Sequence, residues 1–140
     1  MRFVLDNSVS MRWFFRDGKP SDLAYSDNVL AEIKKWSSVV PVTWGLEVAN
    51  VLARAESKGQ VTAAQSGSFI KMLNEMEIDL DSATFEHAMS DTLQLARAYK
   101  LSAYDASYLE LALRLDVPLA TLDESLRKAA KKAGVKILTS

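Results

Sequence analysis

The chain has 140 residues, 49% of them hydrophobic, which suits one compact domain with a sizeable core. Its 17 basic and 18 acidic residues leave a net charge of −1, which argues against a broad basic surface for duplex DNA. The absence of cysteine excludes disulfides and thiolate metal sites, and a single histidine, His87, excludes histidine-rich zinc sites. Since no segment has the pattern of a signal peptide or a membrane span, we expect a cytoplasmic protein.

Short apolar runs alternate with helical patterns along the chain. The first run, Phe3–Leu5, is typical of a strand buried on both faces, and it ends at Asp6. Further predicted strands cover Val39–Val42, Ile78–Leu80, Pro118–Leu122 and Val135–Leu138. Pro41 indicates that the second strand lies at an edge or ends early. The alternation predicts an α/β domain with a mainly parallel sheet, spanning residues 1–140.

Helical periodicity fills the segments between the strands. The predicted helices cover residues 9–14, 22–36, 44–57 and 63–75, a long stretch after Asp81 to Lys100, a segment containing Asp105, and a segment from Asp123 to Gly134. Phe85 and Met89 keep the helical period of the long helix. Tyr104 and Tyr108 belong to the inner face of the Asp105 helix, whereas Glu110 lies off the face of Asp105 and is predicted to be exposed.

Four carboxylates follow predicted strands or begin predicted helices: Asp6, Glu47, Asp105 and Asp123. In an open α/β sheet the ligand crevice lies beyond the carboxyl ends of the strands, where the strand order reverses. We therefore expect these side chains to converge at one edge. Like charges in a partly buried cleft repel one another unless a cation neutralises them, and hard ions such as Mg²⁺ or Mn²⁺ prefer oxygen ligands.

Each carboxylate also has a purely structural interpretation. Asp6 and Asp123 have the positions of helix caps, and Asp105 follows Ser102 with the spacing of a capping box. Glu47 could be a surface residue paired along its helix, which would contribute about 0.5 kcal/mol at most.

Four segments together resemble the PIN-domain ribonucleases of the VapC toxin type. They are Phe3–Val9, Leu46–Arg54, Ser102–Ala112 and Leu119–Asp123. The resemblance covers essentially the whole chain, with the segments in matching order. It implies a PIN-like three-layer α/β domain, with a central, mainly parallel sheet of four or five short strands flanked by helices. It also implies a metal-dependent endoribonuclease that hydrolyses RNA phosphodiester bonds and is the toxin of a toxin–antitoxin pair.

The same resemblance implies roles for the four carboxylates as catalytic and metal-binding residues. Asp6 and Asp105 would be the most direct ligands of Mg²⁺ or Mn²⁺. Asp123 or Glu47 would hold a second ion or orient the attacking water.

Three further residues are predicted to support the pocket formed by the four carboxylates. Ser8 and Thr121 stand where the family often has a hydroxyl, which would bind metal-bound water or a carboxylate. Asn50 shares a helix face with Glu47.

The implied partners are an RNA substrate, a second copy of the chain in a homodimer, and a cognate antitoxin. That antitoxin would cover the helices with an apolar segment and place a basic side chain in the acidic pocket.

Two rival functions are open at this point. A phosphatase would require a second aspartate at Ser8, and a receiver domain would require a lysine after the last strands, whereas Lys136 lies within the predicted fifth strand. A PIN-fold module that binds RNA or a protein without cleavage is the alternative from another class. A basic helix face is either solvated surface or a contact for RNA phosphates; it consists of Arg127, Lys128, Lys131 and Lys132.

Overall fold

A computed structural model describes residues 1–139 of the chain. Four strands form one parallel sheet: β1 (Arg2–Leu5), β2 (Ser37–Val40), β3 (Ile78–Leu80) and β4 (Leu119–Ala120). Their order is β3-β2-β1-β4, so the chain builds outward from β1 and then returns to the other side of β1. The strand order therefore reverses between β1 and β4, and the predicted α/β fold with a parallel sheet is confirmed.

Helices occupy most of the remaining chain. They are α1 (Asn7–Ser10) with a following 3₁₀ turn (Met11–Trp13), α2 (Pro20–Ile33), α3 (Trp44–Ser57), α4 (Ala63–Asn74), α5 (Thr84–His87), a π-helical segment (Ala88–Thr92), α6 (Leu93–Tyr99), α7 (Ala103–Leu115) and α8 (Glu124–Ala133). Thr62 and Gln65 form a capping box at the start of α4, and Gly134 ends α8 in the left-handed conformation. Among the described residues, no helix is long and apolar enough to cross a membrane.

The sheet is covered on both faces because strand side chains alternate between them. On one face, Val4 and Val39 pack with residues of α7 and α8. On the other, Phe3, Leu5 and Val40 pack with residues of α1 and α2. A third cluster joins the α1 region to α3 and α4 through Met11, Val48, Leu52, Phe69 and Leu73. The result is the predicted three-layer arrangement.

The strands are shorter than the apolar patterns suggested. β2 has β1 and β3 as neighbours and ends before Pro41, so the early end was the correct interpretation of that proline. β4 keeps only two residues. The predicted fifth strand reduces to a single parallel bridge between Leu119 and Ile137, so the sheet has four strands.

Three helix predictions were wrong in detail. The long helix before Lys100 is interrupted by the π-helical segment, and Phe85 and Met89 are each 76% exposed instead of packed. Tyr104 is 62% exposed, because it lies in the first turn of α7, before the helix reaches the core. Glu110 is only 5% exposed, since the Arg114 guanidinium bonds its carboxylate at 2.8 Å and makes burial of the charge possible.

Candidate active site

Asp6 lies at the carboxyl end of β1, where the strand order reverses. Its side chain is almost fully buried, and Oδ2 accepts hydrogen bonds from Ser8 Oγ at 2.5 Å and Thr121 Oγ1 at 2.7 Å. Because Thr121 directly follows β4, these bonds join the carboxyl ends of two neighbouring strands. The Asp6 carboxylate is thereby fixed in one orientation beneath the crevice.

The same hydroxyl groups hold the start of α8 beside Asp6. Ser8 Oγ accepts a hydrogen bond from the backbone N–H of Leu122 at 3.0 Å, and Thr121 Oγ1 accepts one from the N–H of Asp123 at 3.0 Å. Asp123 is the N-cap of α8, with Oδ1 accepting from the N–H of Leu126 at 2.8 Å. The predicted cap at Asp123 is thus present, and it holds the residue at the same rim as Asp6.

Glu47 and Asp105 come from the first turns of α3 and α7. Tyr108 Oη donates a hydrogen bond to Glu47 Oε1 at 2.6 Å. Ser102 Oγ accepts one from the N–H of Asp105 at 3.1 Å and caps α7, as its spacing predicted. The partnership of Tyr108 with Glu47 was missed, although a fully buried tyrosine hydroxyl usually requires a partner. No sequence signal named Glu47 as that partner.

The four carboxylates, here called the acidic centre, act on one another electrostatically. Burial and the charge of Asp123 raise the pKa of Asp6, although the bonds from Ser8 and Thr121 oppose this shift. Burial likewise raises the pKa of Glu47 and of Asp105, and Asp6 contributes to both shifts. Asp123 also contributes to the shift of Asp105. The structure therefore brings all four predicted residues together, while their metal-binding and catalytic roles remain predictions.

The residues of the acidic centre suit a divalent cation. Among residues 1–139, no salt bridge involves any of the four carboxylates. Within the same range, no group of three or more His, Asp or Glu side chains could hold a metal ion as it stands. Mg²⁺ needs only one or two protein carboxylates, because water and substrate phosphates complete its shell, so the donor set fits such an ion.

Open clefts reach the acidic centre from two directions. One, of about 490 Å³, is lined by Glu47, Asn50 and Asp105, so the predicted supporting residue Asn50 lies in its wall. A second, of about 400 Å³, is lined by Ser8 and Asp123. Each cleft thus has at least one carboxylate of the acidic centre in its wall.

The PIN domain family profile matches residues 3–132, and the chain therefore belongs to the PIN-domain family. Among solved structures, the chain is similar to PAE2754 from Pyrobaculum aerophilum, with 23% identity, a TM-score of 0.66, and coverage of 92% of this chain and 87% of that one. It is also similar to VapBC2 from Rickettsia felis bound to a DNA fragment from their promoter. That match has 10% identity, a TM-score of 0.68, and coverage of 99% of this chain and 98% of that one.

At these identities the two matches establish a shared fold. The predicted PIN-domain family is confirmed by the family profile. No curated protein sequence matches the chain significantly. The roles of individual side chains therefore rest on the geometry described above.

Proposed function

We propose that this PIN domain is a metal-dependent endoribonuclease that hydrolyses RNA phosphodiester bonds. The observation that carries the proposal is the acidic centre itself. Carboxylates from four separate segments meet where the strand order reverses, and burial and mutual repulsion raise the pKa values of Asp6, Glu47 and Asp105. Membership of the PIN-domain family supports nuclease chemistry as the reaction class.

In this proposal, some side chains of the acidic centre would hold a cation and another would orient the attacking water. Asp6 and Asp105 would hold Mg²⁺ or Mn²⁺, which would lower the pKa of a bound water and offset charge that develops on the phosphoryl group. Ser8 and Thr121 keep the Asp6 carboxylate in one orientation. Glu47, held by Tyr108, would orient the attacking water.

Asp123 is the alternative to Glu47 for this task, or would help to hold a second ion. It is fixed beside Asp6 by the cap of α8 and by the bond between its N–H and Thr121. Both carboxylates can accept a hydrogen bond from water and so direct its oxygen toward phosphorus.

A cleavage assay on mixed cellular RNA tests the proposal. The parent protein is compared with Asp6→Asn in Mg²⁺, in Mn²⁺ and in excess chelator. Asp116→Asn is the matched control, because Asp116 is exposed at the far end of α7 in a left-handed conformation that asparagine tolerates. We expect metal-dependent cleavage by the parent and by Asp116→Asn, and none by Asp6→Asn.

Equal cleavage by the parent and Asp6→Asn would reject the acidic centre as the site. No cleavage by the parent in either metal, combined with retained RNA binding, would instead favour a PIN-fold module that binds RNA without cutting it. Retained binding of a protein in place of RNA would favour the corresponding protein-binding module.

We also propose that the protein is the toxin of a toxin–antitoxin pair in the cytoplasm. The structural similarity to the VapBC2 complex supports an antitoxin as partner. Induced expression in a bacterial host would then arrest growth with the parent protein and not with Asp6→Asn. Growth arrest that persists with Asp6→Asn would contradict a toxic activity based on RNA cleavage.

A homodimer is the third part of the proposal. Large apolar side chains are exposed on β3, α5, the π-helical segment, α6 and α7, as is expected of a protein interface. They are Leu80, Phe85, Met89, Leu93 and Leu113. Light scattering should give the mass of a dimer for the parent and of a monomer for the double variant Phe85→Lys/Met89→Lys. Ile70→Lys, at another exposed apolar position, should leave the dimer intact.

A further inference from the structure

A cleft of about 440 Å³ lies between the end of α6 and one face of α8. Lys100, Lys128, Lys132 and Ser125 contribute to its wall. We propose that this basic cleft binds the phosphate backbone of a single-stranded RNA on its way out of the acidic centre. The inference rests on the proposed nuclease function and names the part of the protein that holds the substrate.

The helical repeat places the α8 lysines on one face. Ser125, Lys128 and Lys132 are separated by three and four residues, which is the spacing of neighbours along a helix surface. Lys100 supplies the opposite wall from the C-cap position directly after α6, where its backbone is left-handed, with φ of 54°. Glycine or asparagine usually occupies such a position, so its lysine is not explained by backbone preference.

The basic face that the sequence indicated is divided by the structure. Arg127 is engaged in the fold, because its Nε donates to the carbonyl oxygen of Thr121 at 2.6 Å and its guanidinium lies 4.7 Å from the centre of the Tyr25 ring. Lys131 is exposed on α8 but does not line the cleft. Only Lys128 and Lys132 of that face join Lys100.

The three lysines have no acidic partner within the described part of the chain. None of them takes part in a salt bridge there, and no aspartate or glutamate lines the cleft. All three side chains are exposed. In a protein with a net charge of −1, this leaves a local concentration of positive charge that suits a polyanion.

Both walls of the cleft lie close along the chain to residues of the acidic centre. Ser125 lies in the first turn of α8, two residues after Asp123. Lys100 lies two residues before Ser102, the N-cap of α7, whose side chain accepts a hydrogen bond from the N–H of Asp105. Carboxylates repel RNA phosphates, so a substrate strand must find attraction just outside them. Lys128 and Lys132, about 6 Å apart along the helix axis, extend in a row away from the centre, as a linear polyanion requires.

The test measures RNA binding without cleavage. The full-length Asp6→Asn protein is titrated against a fluorescently labelled single-stranded RNA of mixed sequence over a range of salt concentrations. In this background, Lys128→Gln/Lys132→Gln is compared with Lys131→Gln, the matched control on the same helix. A second variant, Lys100→Gln, tests the opposite wall. Circular dichroism confirms that each variant is folded.

We expect the double variant to weaken binding by about tenfold or more at low salt. Its slope of log K against log salt should fall by about 1.4, or about 0.7 for each phosphate contact of a single strand. Lys100→Gln should reduce the slope by about 0.7. Lys131→Gln should leave both affinity and slope unchanged.

Equal weakening by Lys131→Gln, or no weakening by the double variant, would overturn the proposal. So would displacement of the RNA by an acidic peptide at lower concentration than by unlabelled RNA, because the cleft would then belong to an acidic protein. Failure of the nuclease proposal gives a different pattern, in which the parent cleaves no RNA while the lysine variants still weaken RNA binding. Metal-dependent cleavage with lysine-independent binding rejects the cleft alone.

Discussion

Carboxylates gather in two places in this protein, the acidic centre and a cluster around Arg114. In the Arg114 cluster, the guanidinium bonds both oxygens of Asp81, at 2.7 and 3.1 Å, and both oxygens of Glu110, at 2.8 and 3.0 Å. Burial alone would raise the pKa of Asp81, but the bonds from Arg114 and Thr84 lower it below its ordinary value. In the acidic centre, the pKa values of Asp6, Glu47 and Asp105 are raised.

The difference lies in where the positive charge comes from. The Arg114 cluster contains its own cation, which stabilises the ionised form of Asp81, and the bonds from Arg114 fasten α7 to the end of β3. The acidic centre has no such partner among the described residues, and its carboxylates stay together only because the fold holds them there. Buried charges are tolerated when they are paired, so the unpaired set is the one that we expect to take up a cation.

Removing charge from the acidic centre should have the largest effect on activity. We expect Asp105→Asn to lower RNA cleavage on the order of a hundredfold or more, because a charged oxygen ligand is lost. The free energy of unfolding without metal should be unchanged or higher, since the substitution removes repulsion. Cleavage rates and urea unfolding in chelator measure the two quantities. A clear fall in stability, or full activity, would contradict the proposed role.

Removing the cation from the Arg114 cluster should have the opposite consequence. Arg114→Met leaves the buried carboxylate of Glu110 and the largely buried carboxylate of Asp81 without a cation, and we expect a loss of about 3 kcal/mol in the free energy of unfolding by urea. Arg16→Met is the control, because the Arg16–Asp27 pair is exposed and should contribute nothing measurable. Neutralising the two partners as well, with Asp81→Asn and Glu110→Gln, should restore part of the loss. Equal effects of Arg114→Met and Arg16→Met would show that burial does not matter here.

Metal and pH should act on the acidic centre alone. Carboxylates with raised pKa values bind protons more tightly when folded, so the metal-free protein should become more stable as pH falls from neutrality toward their ordinary pKa values of 3.8 for Asp6 and Asp105 and 4.5 for Glu47. Asp81 has the opposite sign, but its contribution is lost only as pH falls below its ordinary value of 3.8, outside this window. Mn²⁺ at a hundred times its dissociation constant should add about 2.7 kcal/mol at neutral pH.

Thermal melts in chelator and in Mn²⁺ at each pH measure these effects. Asp6→Asn should reduce both the stabilisation by acid and the stabilisation by metal. A melting temperature that is indifferent to Mn²⁺, or that rises with pH in chelator across this window, would remove the distinction between the two clusters.

The smallest expected effect separates two roles of Asp123. Asp123→Ala should lower stability by about 1 kcal/mol, because the N-cap of α8 is lost, and should also reduce cleavage. Asp123→Ser keeps a capping oxygen, so it should retain stability while cleavage falls as far as with alanine. If Asp123→Ser cleaves RNA at the same rate as the parent protein, Asp123 acts only as the N-cap of α8.

Part of the fold and of the acidic centre could be predicted, because local sequence patterns indicate the strands and helices. The apolar run at Phe3–Leu5 specified a strand buried on both faces, and the bounds of α3 match the predicted helix at both ends. The alternation of strands and helices predicted a parallel sheet, whose carboxyl ends share one edge. That topological rule is why the convergence of Asp6 with Asp123 could be expected before any contact was seen.

Other features could not be predicted, since they depend on contacts between distant segments. Glu110 is charged and was expected at the surface, yet its ion pair with Arg114 makes its burial possible. Nothing local to Tyr108 identifies its hydroxyl as the donor to Glu47, 61 residues away. The interruption of the long helix at Ala88–Thr92 likewise occurs within a continuous helical pattern.

The sequence by itself determined the class of fold, the order of its elements and which carboxylates follow strands or open helices, because periodicity and capping act over a few residues. Only the tertiary structure decided which charges receive a partner. Arg114 reaches Asp81 across 33 residues, whereas no basic side chain forms a salt bridge with the acidic centre within residues 1–139. Pairing of charges depends on distances in the folded chain, and those distances are set by packing.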